Sequence, residues 1–315
     1  MLGGSNLQRD DTYAAIQAYS TALTVATQTT NQSWPEVRIP YFESLGGRFR
    51  GIAKANHSSL FVVVPQEDRN IYEAHMWKQH EDVMRESHML AYGNLDNFRP
   101  EGYQRNISTT SANGLVPDGP RDVYFPVYQN SPPAPTYASM NWNVATSPLY
   151  ERVVKLATDM KNETFSVSGE GVTGVRTMEP NPFDQYGRDQ PEIHYFHSVL
   201  DRVEGDNTNV VGVIMLSVSL ELFTSGLIPD DVQGLMVVFR SSCNQNYTYV
   251  IEGKQATYLG AEDLHEEEFE KYEINTNLTS HGSTAAATAP GQCFFTQVRE
   301  SFCTLSALLT RIDSF

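Results

Sequence analysis

Apolar residues recur at a helical interval near the start of the chain. Between Thr12 and Thr30, Ala15, Ile16, Tyr19, Leu23 and Ala26 keep one face apolar, which predicts an amphipathic helix. Trp34-Pro35 ends it, because a residue before proline avoids the α region. Val37–Leu45 reads as a second helix closed by Gly46-Gly47, and Leu60–Val64 as a short buried strand stopped by Pro65. The clearest helix is Glu67–Tyr92, where Ile71, Ala74, Met76, Trp77, Val83, Met84, Met89 and Leu90 stand among charges before a Gly93-Asn94 stop.

Leu95–Asp122 is polar and without period, so a loop is expected there. Asp122–Gln129 reads as a strand, followed by the proline cluster Ser131–Pro135, which cannot enter a sheet interior. Ser147-Pro148 opens a further helix through about Lys161, with serine at the N-cap and proline at the first helical position. Glycine and proline crowd Gly169–Gln190 and mark a boundary.

Beyond that boundary the period shortens to that of strands. Ile193–Val203, Val210–Ser219, Leu235–Ser241, Tyr247–Glu252 and Gln255–Leu259 are all β-like, with Gly253-Lys254 as a tight turn. Leu220–Leu227 and Leu264–Tyr272 interrupt them as short helices. Closely spaced strands with few helices predict a largely antiparallel sheet, so the fold class is α+β. The expected organisation is one sensor-sized unit over residues 1–279, with lobes near 12–168 and 190–273. Residues 280–315 are expected to be a poorly patterned tail, either disordered or a gene-model artefact.

Charge narrows the partners. A net charge of -16 argues against nucleic acid, since phosphate binding needs clustered Lys and Arg. The longest apolar run, Val210–Val218, is far short of the roughly 20 residues of a spanning helix. Met1–Asp11 has no apolar stretch resembling a signal peptide. Six Asn-X-Ser/Thr sequons, at Asn31, Asn56, Asn106, Asn162, Asn246 and Asn277, are candidate glycosylation sites and point to an extracellular address. The three cysteines are Cys243, Cys293 and Cys303. Cys243 with Cys293 is the expected disulfide, closing a loop worth about 4 kcal/mol by chain entropy. Three free thiols are the alternative.

No phosphate loop, dinucleotide fingerprint, serine-nucleophile elbow or His-Glu-x-x-His occurs. Neither catalysis, nor a metal, nor a cofactor is expected. His194 and His197 are three apart in a predicted strand and point to opposite faces. Asp263, His265 and Glu266–Glu268 form an acidic cluster at a helix start, the place an unrecognised hydrolase would have to use. Aromatic residues Tyr124, Phe125, Tyr128, Tyr137, Trp142 and Tyr150 surround the proline cluster beside Arg121 and Arg152. Aromatic walls with a few polar groups are the usual make-up of a small-molecule pocket. Arg121, Tyr124, Tyr128, Trp142 and Arg152 are therefore the candidate ligand-binding residues.

Three segments together carry a family resemblance. They are Phe125–Gln129 with Ser131–Pro135, Val210–Ile214, and the long stretch Gly234–Val238, Cys243, Tyr247–Ile251, Gly253, Ala256–Gly260 and Asp263-Leu264-His265. In order and spacing they resemble the extracellular domains of receptor-type guanylate or adenylate cyclases of diatoms and related algae, over roughly Thr12–Glu273. Ala261-Glu262 departs from that pattern, which has a Gly-Asp-like turn there. The resemblance implies a Cache/PAS-like or CHASE-like sensor for an unknown small-molecule ligand, with a long N-terminal helix that would suit a homodimer. It also implies a transmembrane helix and a cyclase domain further along, neither of which is expected within these residues. A stand-alone secreted small-molecule-binding protein is the rival expectation.

Overall fold

The computed structural model describes residues 2–30, 32–96, 98, 103–112, 114–133, 139–147, 150–151, 154, 158, 164–169, 191–203, 208–224, 234–241, 246–264, 274–277 and 295–302. Helix α1 spans Leu2–Thr29 and α2 spans Phe42–Ala53. Strand β1 (His57–Val62) and the two-residue β2 (Val64–Pro65) lead into α3, Arg69–Tyr92. A left-handed Gly93 caps α3 through its N–H to the Met89 carbonyl, as expected of glycine past a helix end.

Three expectations for this half change. Helix α2 runs straight through Gly46-Gly47 instead of stopping there. The reason is packing: a Cβ at Gly46 would run into Ser131, so glycine serves helix–sheet approach at that point. The expected loop at Leu95–Asp122 contains a hairpin, β3 (Ser108–Ser111) with β4 (Gly114–Pro117). The expected strand Asp122–Gln129 is divided by Pro126 into β5 (Val123–Tyr124) and β6 (Val127–Ser131), which pair with β2 and β1 respectively.

Strand β7 is Thr164–Gly169, β8 is Glu192–Leu200 and β9 is Val210–Ser219. The first sheet has the order β6-β1-β9-β8-β7 and is antiparallel throughout. Numbered by appearance within that sheet, the order is second, first, fifth, fourth, third. Strand pairing therefore crosses the stretch 169–190 that the sequence reads as a boundary, and the division between sheets falls after Ser219. A one-turn helix, Leu220–Thr224, follows.

Strands β10 (Leu235–Ser241), β11 (Asn246–Glu252), β12 (Gln255–Gly260), β13 (Ile274–Asn277) and β14 (Phe295–Phe302) build a second sheet, ordered β12-β11-β10-β14-β13. The β11–β12 hairpin turns at Gly253-Lys254, and Gly253 takes the left-handed conformation such a turn needs. Strand β14 is a correction. The expectation of an unpatterned tail from 280 fails at Phe295–Phe302, which lies between β10 and β13, with one register shift against β10 at Arg240/Ser241. Its pattern, Phe-Thr-Gln-Val-Arg-Glu-Ser-Phe, is too polar to announce a strand and is placed by its partners.

The mixture of helices and antiparallel sheets makes the fold α+β. No helix among the described residues is long and apolar enough to cross a membrane. The core sits on both faces of the first sheet. Helix α1 covers one face: Ser20 Oγ donates to the Ser198 carbonyl at 2.6 Å, and Tyr13 meets Tyr195 edge-on at 5.4 Å. Helix α2 joins it there, with Arg50 Nε donating to Ser131 Oγ at 3.0 Å and its guanidinium paired to Glu43 at 2.9 Å.

Candidate functional site

The aromatic residues expected to wall a pocket are mostly inside the protein. Tyr124 is fully buried, and its hydroxyl donates to Gln66 Oε1 at 2.5 Å while accepting from Arg69 Nη1 and the Arg121 N–H, both at 3.0 Å. Buried Tyr128 donates its hydroxyl to the Val37 carbonyl. Trp142 Nε1 donates to Thr110 Oγ1 at 3.2 Å, and the ring packs edge-on against Tyr150 at 6.1 Å. Each polar tip is thus engaged by the protein itself. These bonds tie Tyr124 to the start of α3, Tyr128 to the segment after α1 and Trp142 to β3, a reason for their clustering that a one-dimensional pattern does not separate from ligand binding.

Arg121 stays near the surface, 42% exposed, with Nε donating to Asp118 Oδ2 at 2.9 Å. Buried Asn143 holds the same carboxylate at 2.7 Å and caps the Phe125 N–H at 2.9 Å. Arg121 lines a cavity of about 620 Å3 together with Asp122, Phe125, Glu151, Asn209 and Val210. Arg152, Tyr137, Cys243 and Cys293 lie outside the described residues.

A second cluster was not anticipated. It lies on the face of the first sheet away from α1 and α2. His57 on β1 stands opposite Ser217 on β9, and Ser217 stands opposite His194 on β8. Directly paired residues share a face, so imidazole, hydroxyl and imidazole form one row across three strands. Glu192 is two residues from His194 on the same face. Its half-buried carboxylate accepts from Ser217 Oγ at 2.6 Å and from Asn56 Nδ2 at 3.3 Å. Tyr150 sits above this row, with its ring centroid 6.2 Å from His194 and 6.3 Å from Phe196.

His194 is the unusual member. It is 5% exposed, and neither ring nitrogen has a hydrogen-bond partner among the described residues. Burial pushes its pKa down to about 4, against the pull of Glu192 and with a smaller push from His57. Burial likewise lowers the pKa of His57 and raises that of Tyr150. The row therefore holds neutral imidazoles beside a carboxylate. Native interiors rarely leave a ring with both nitrogens unsatisfied, and such a group calls for an explanation. His197, as expected from strand alternation, falls on the other face of β8.

One signal for this row existed in the sequence. Glu192, His194, Phe196 and Ser198 alternate with Ile193, Tyr195, His197 and Val199, so the first set forms the more polar face of β8 although His197 sits on the other. What the alternation lacks is the identity of the neighbouring strands.

The remaining candidates scatter. Asp263 faces Arg240 at 3.8 Å, while His265 and Glu266–Glu268 lie outside the described residues. Among the sequons, Asn106 is exposed. Asn56 is tied to Glu192, and Asn246 accepts from Arg240 Nε at 3.2 Å. Asn277 is in β13, and Asn31 and Asn162 lie outside the described residues. No group of three metal-ligating side chains occurs among the described residues.

No protein-family model matches the chain, and no curated protein matches it. Among solved structures, a chain described as "Methyl-accepting Chemotaxis protein X" is similar at 11% identity, over 95% of this chain and 96% of that one. The TM-score is 0.33, a level at which likeness does not establish a shared fold.

Proposed function

We propose that this chain is a ligand-sensing domain of Cache/PAS-like type, whose small-molecule ligand binds on the first sheet's face opposite α1 and α2. The observation that carries the reading is His194: a buried, neutral ring with two open nitrogens, on a face where aromatic rings and a carboxylate converge. Pockets that recognise small molecules combine apolar walls with a few placed polar groups. The order second, first, fifth, fourth, third supports the Cache/PAS-like part, being the order of PAS-type sheets. The parent in this reading is a receptor-type guanylate or adenylate cyclase, with the domain on the outer side of a membrane. That part rests on the sequence resemblance alone.

The domain does no chemistry of its own in this reading. Ligand binding favours one packing of the first sheet over another, and output requires that the two packings differ in ligand affinity. Glu192 is well placed to pass the difference on, because its charge acts on His194 in the first sheet, on Tyr150 packed over that sheet, and on Tyr249 in the second.

The test is a thermal-shift screen of the chain with small molecules spanning acids, amines, sugars and nucleobases. Stabilisation by one class, lost on His194→Leu, is the expected result. No stabilisation by any class would sink the sensing reading. The cyclase parent is tested separately by transcript sequence beyond Thr279: a hydrophobic span followed by cyclase motifs is expected, and a stop codon without either excludes it.

A further inference from the structure

The geometry points to a binding site for a small primary ammonium group at the Glu192–His194 end of the first sheet, with the Glu192 carboxylate as its charge partner. The inference rests on the sensing reading above and names the ligand chemistry of that face.

Apart from one imidazole N–H of His194, the open valences there are those of acceptors. Glu192 receives one hydroxyl and one amide N–H, which leaves lone pairs on both carboxylate oxygens. Asn56 Oδ1 is buried and without a partner among the described residues. A neutral imidazole adds one acceptor nitrogen, and His194 has both of its nitrogens open. Three acceptors of this kind are met by a group that brings several N–H donors at one point.

Charge selects the same group. Among the described residues no Lys or Arg forms an ion pair with Glu192. The nearby Arg50 pairs with Glu43, donates to Ser131, and reaches the Asn56 carbonyl at 3.4 Å, but it forms no ion pair with Glu192. Two water molecules would satisfy the two His194 nitrogens but leave the carboxylate without a counter-charge. An anion would meet the Glu192 charge directly. An ammonium supplies three donors and one positive charge. The Tyr150 and Phe196 rings, 6.3 Å apart, give an adjoining organic cation the aromatic surroundings that attract it. The opposite end of β1 and β9 is some 20 Å away at the usual rise per residue. There the cavity with Arg121 and Phe125 has a guanidinium in its lining and differs in character.

The experiment is calorimetric titration of the chain at pH 7.5 with ethanolamine, beside acetate and ethylene glycol as matched probes. Ethanolamine is expected to bind and the other two are not. Glu192→Gln is expected to weaken ethanolamine binding at least about thirtyfold, the effect of removing one partner of a hydrogen-bonded charge pair. Should that variant fold poorly, nitrogen-15 spectra of the native chain read the same contact. Ethanolamine must then shift the His194 ring signals, assigned by their loss in His194→Leu. Equal binding of acetate, an unaltered affinity in a folded Glu192→Gln, or unmoved His194 signals overturns the assignment. If ethanolamine fails while another class stabilises the chain in the screen, this inference falls and the sensing reading stands.

Discussion

The two faces of the first sheet are built from the same strands to opposite specifications. Toward α1 and α2, Leu60, Leu216 and Tyr195 are buried against helix, and Gly46 is kept free of a side chain so that α2 can approach β6. Toward Tyr150, the same strands present His57, Ser217, His194 and Glu192. The helical face reduces apolar area in contact with water, the largest favourable contribution to folding. The other face buries polar groups that the described residues satisfy only in part, which costs stability.

That contrast can be broken by measurement. The largest effect belongs to the helical face. Leu216→Ala should destabilise the chain by about 2–5 kcal/mol, the range for deleting a buried leucine side chain, as read from urea unfolding. A loss under about 1 kcal/mol would show that this face is not the packed one.

Acid should act through the other face. His194 has its folded pKa near 4, below the ordinary 6.5, so the folded state binds fewer protons than the unfolded chain. Its contribution is fully present above pH 6.5 and is lost as pH falls toward 4. The loss amounts to roughly 3 kcal/mol from this residue. Carboxylates titrate in the same range, so the measurement is the difference between native and His194→Leu unfolding curves at pH 7.5 and pH 4.5. Equal acid sensitivity of the two chains would remove His194 as the cause.

Gly46→Ala should cost about 1–3 kcal/mol through overpacking against Ser131. Combining it with Ser131→Gly should recover part of the loss, because the second change removes the side chain in the way. Smallest and opposite in sign is His194→Leu at pH 7.5. Replacing a buried ring whose nitrogens lack partners among the described residues with an apolar side chain should stabilise the chain by about 1 kcal/mol. A clear destabilisation instead would mean that those nitrogens are already satisfied.

Local signals were readable wherever a residue's role depends on near neighbours in the chain. Gly93 after α3 and the Gly253-Lys254 turn needed only backbone stereochemistry. The apolar stripe Ala15, Ile16, Tyr19 and Leu23 predicts α1, and its residues are buried in the structure. Reading failed where a distant partner decides. Gly46 looks like a helix stop until Ser131 is beside it, and Phe295–Phe302 looks unpatterned until β10 and β13 flank it. Among the aromatic candidates, Tyr124, Tyr128 and Trp142 share composition with a ligand pocket. Their hydrogen bonds to Gln66, Val37 and Thr110 tie them to the scaffold.

The sequence by itself determined an α+β chain, its main helices, its hairpin turn and the polar alternation of β8, because these follow from spacing and backbone preference over a few residues. Only the tertiary structure decided that residues 57, 217 and 194 lie side by side. Strand order brings them together: β1 pairs with β9 across more than a hundred residues, a contact that no local period records.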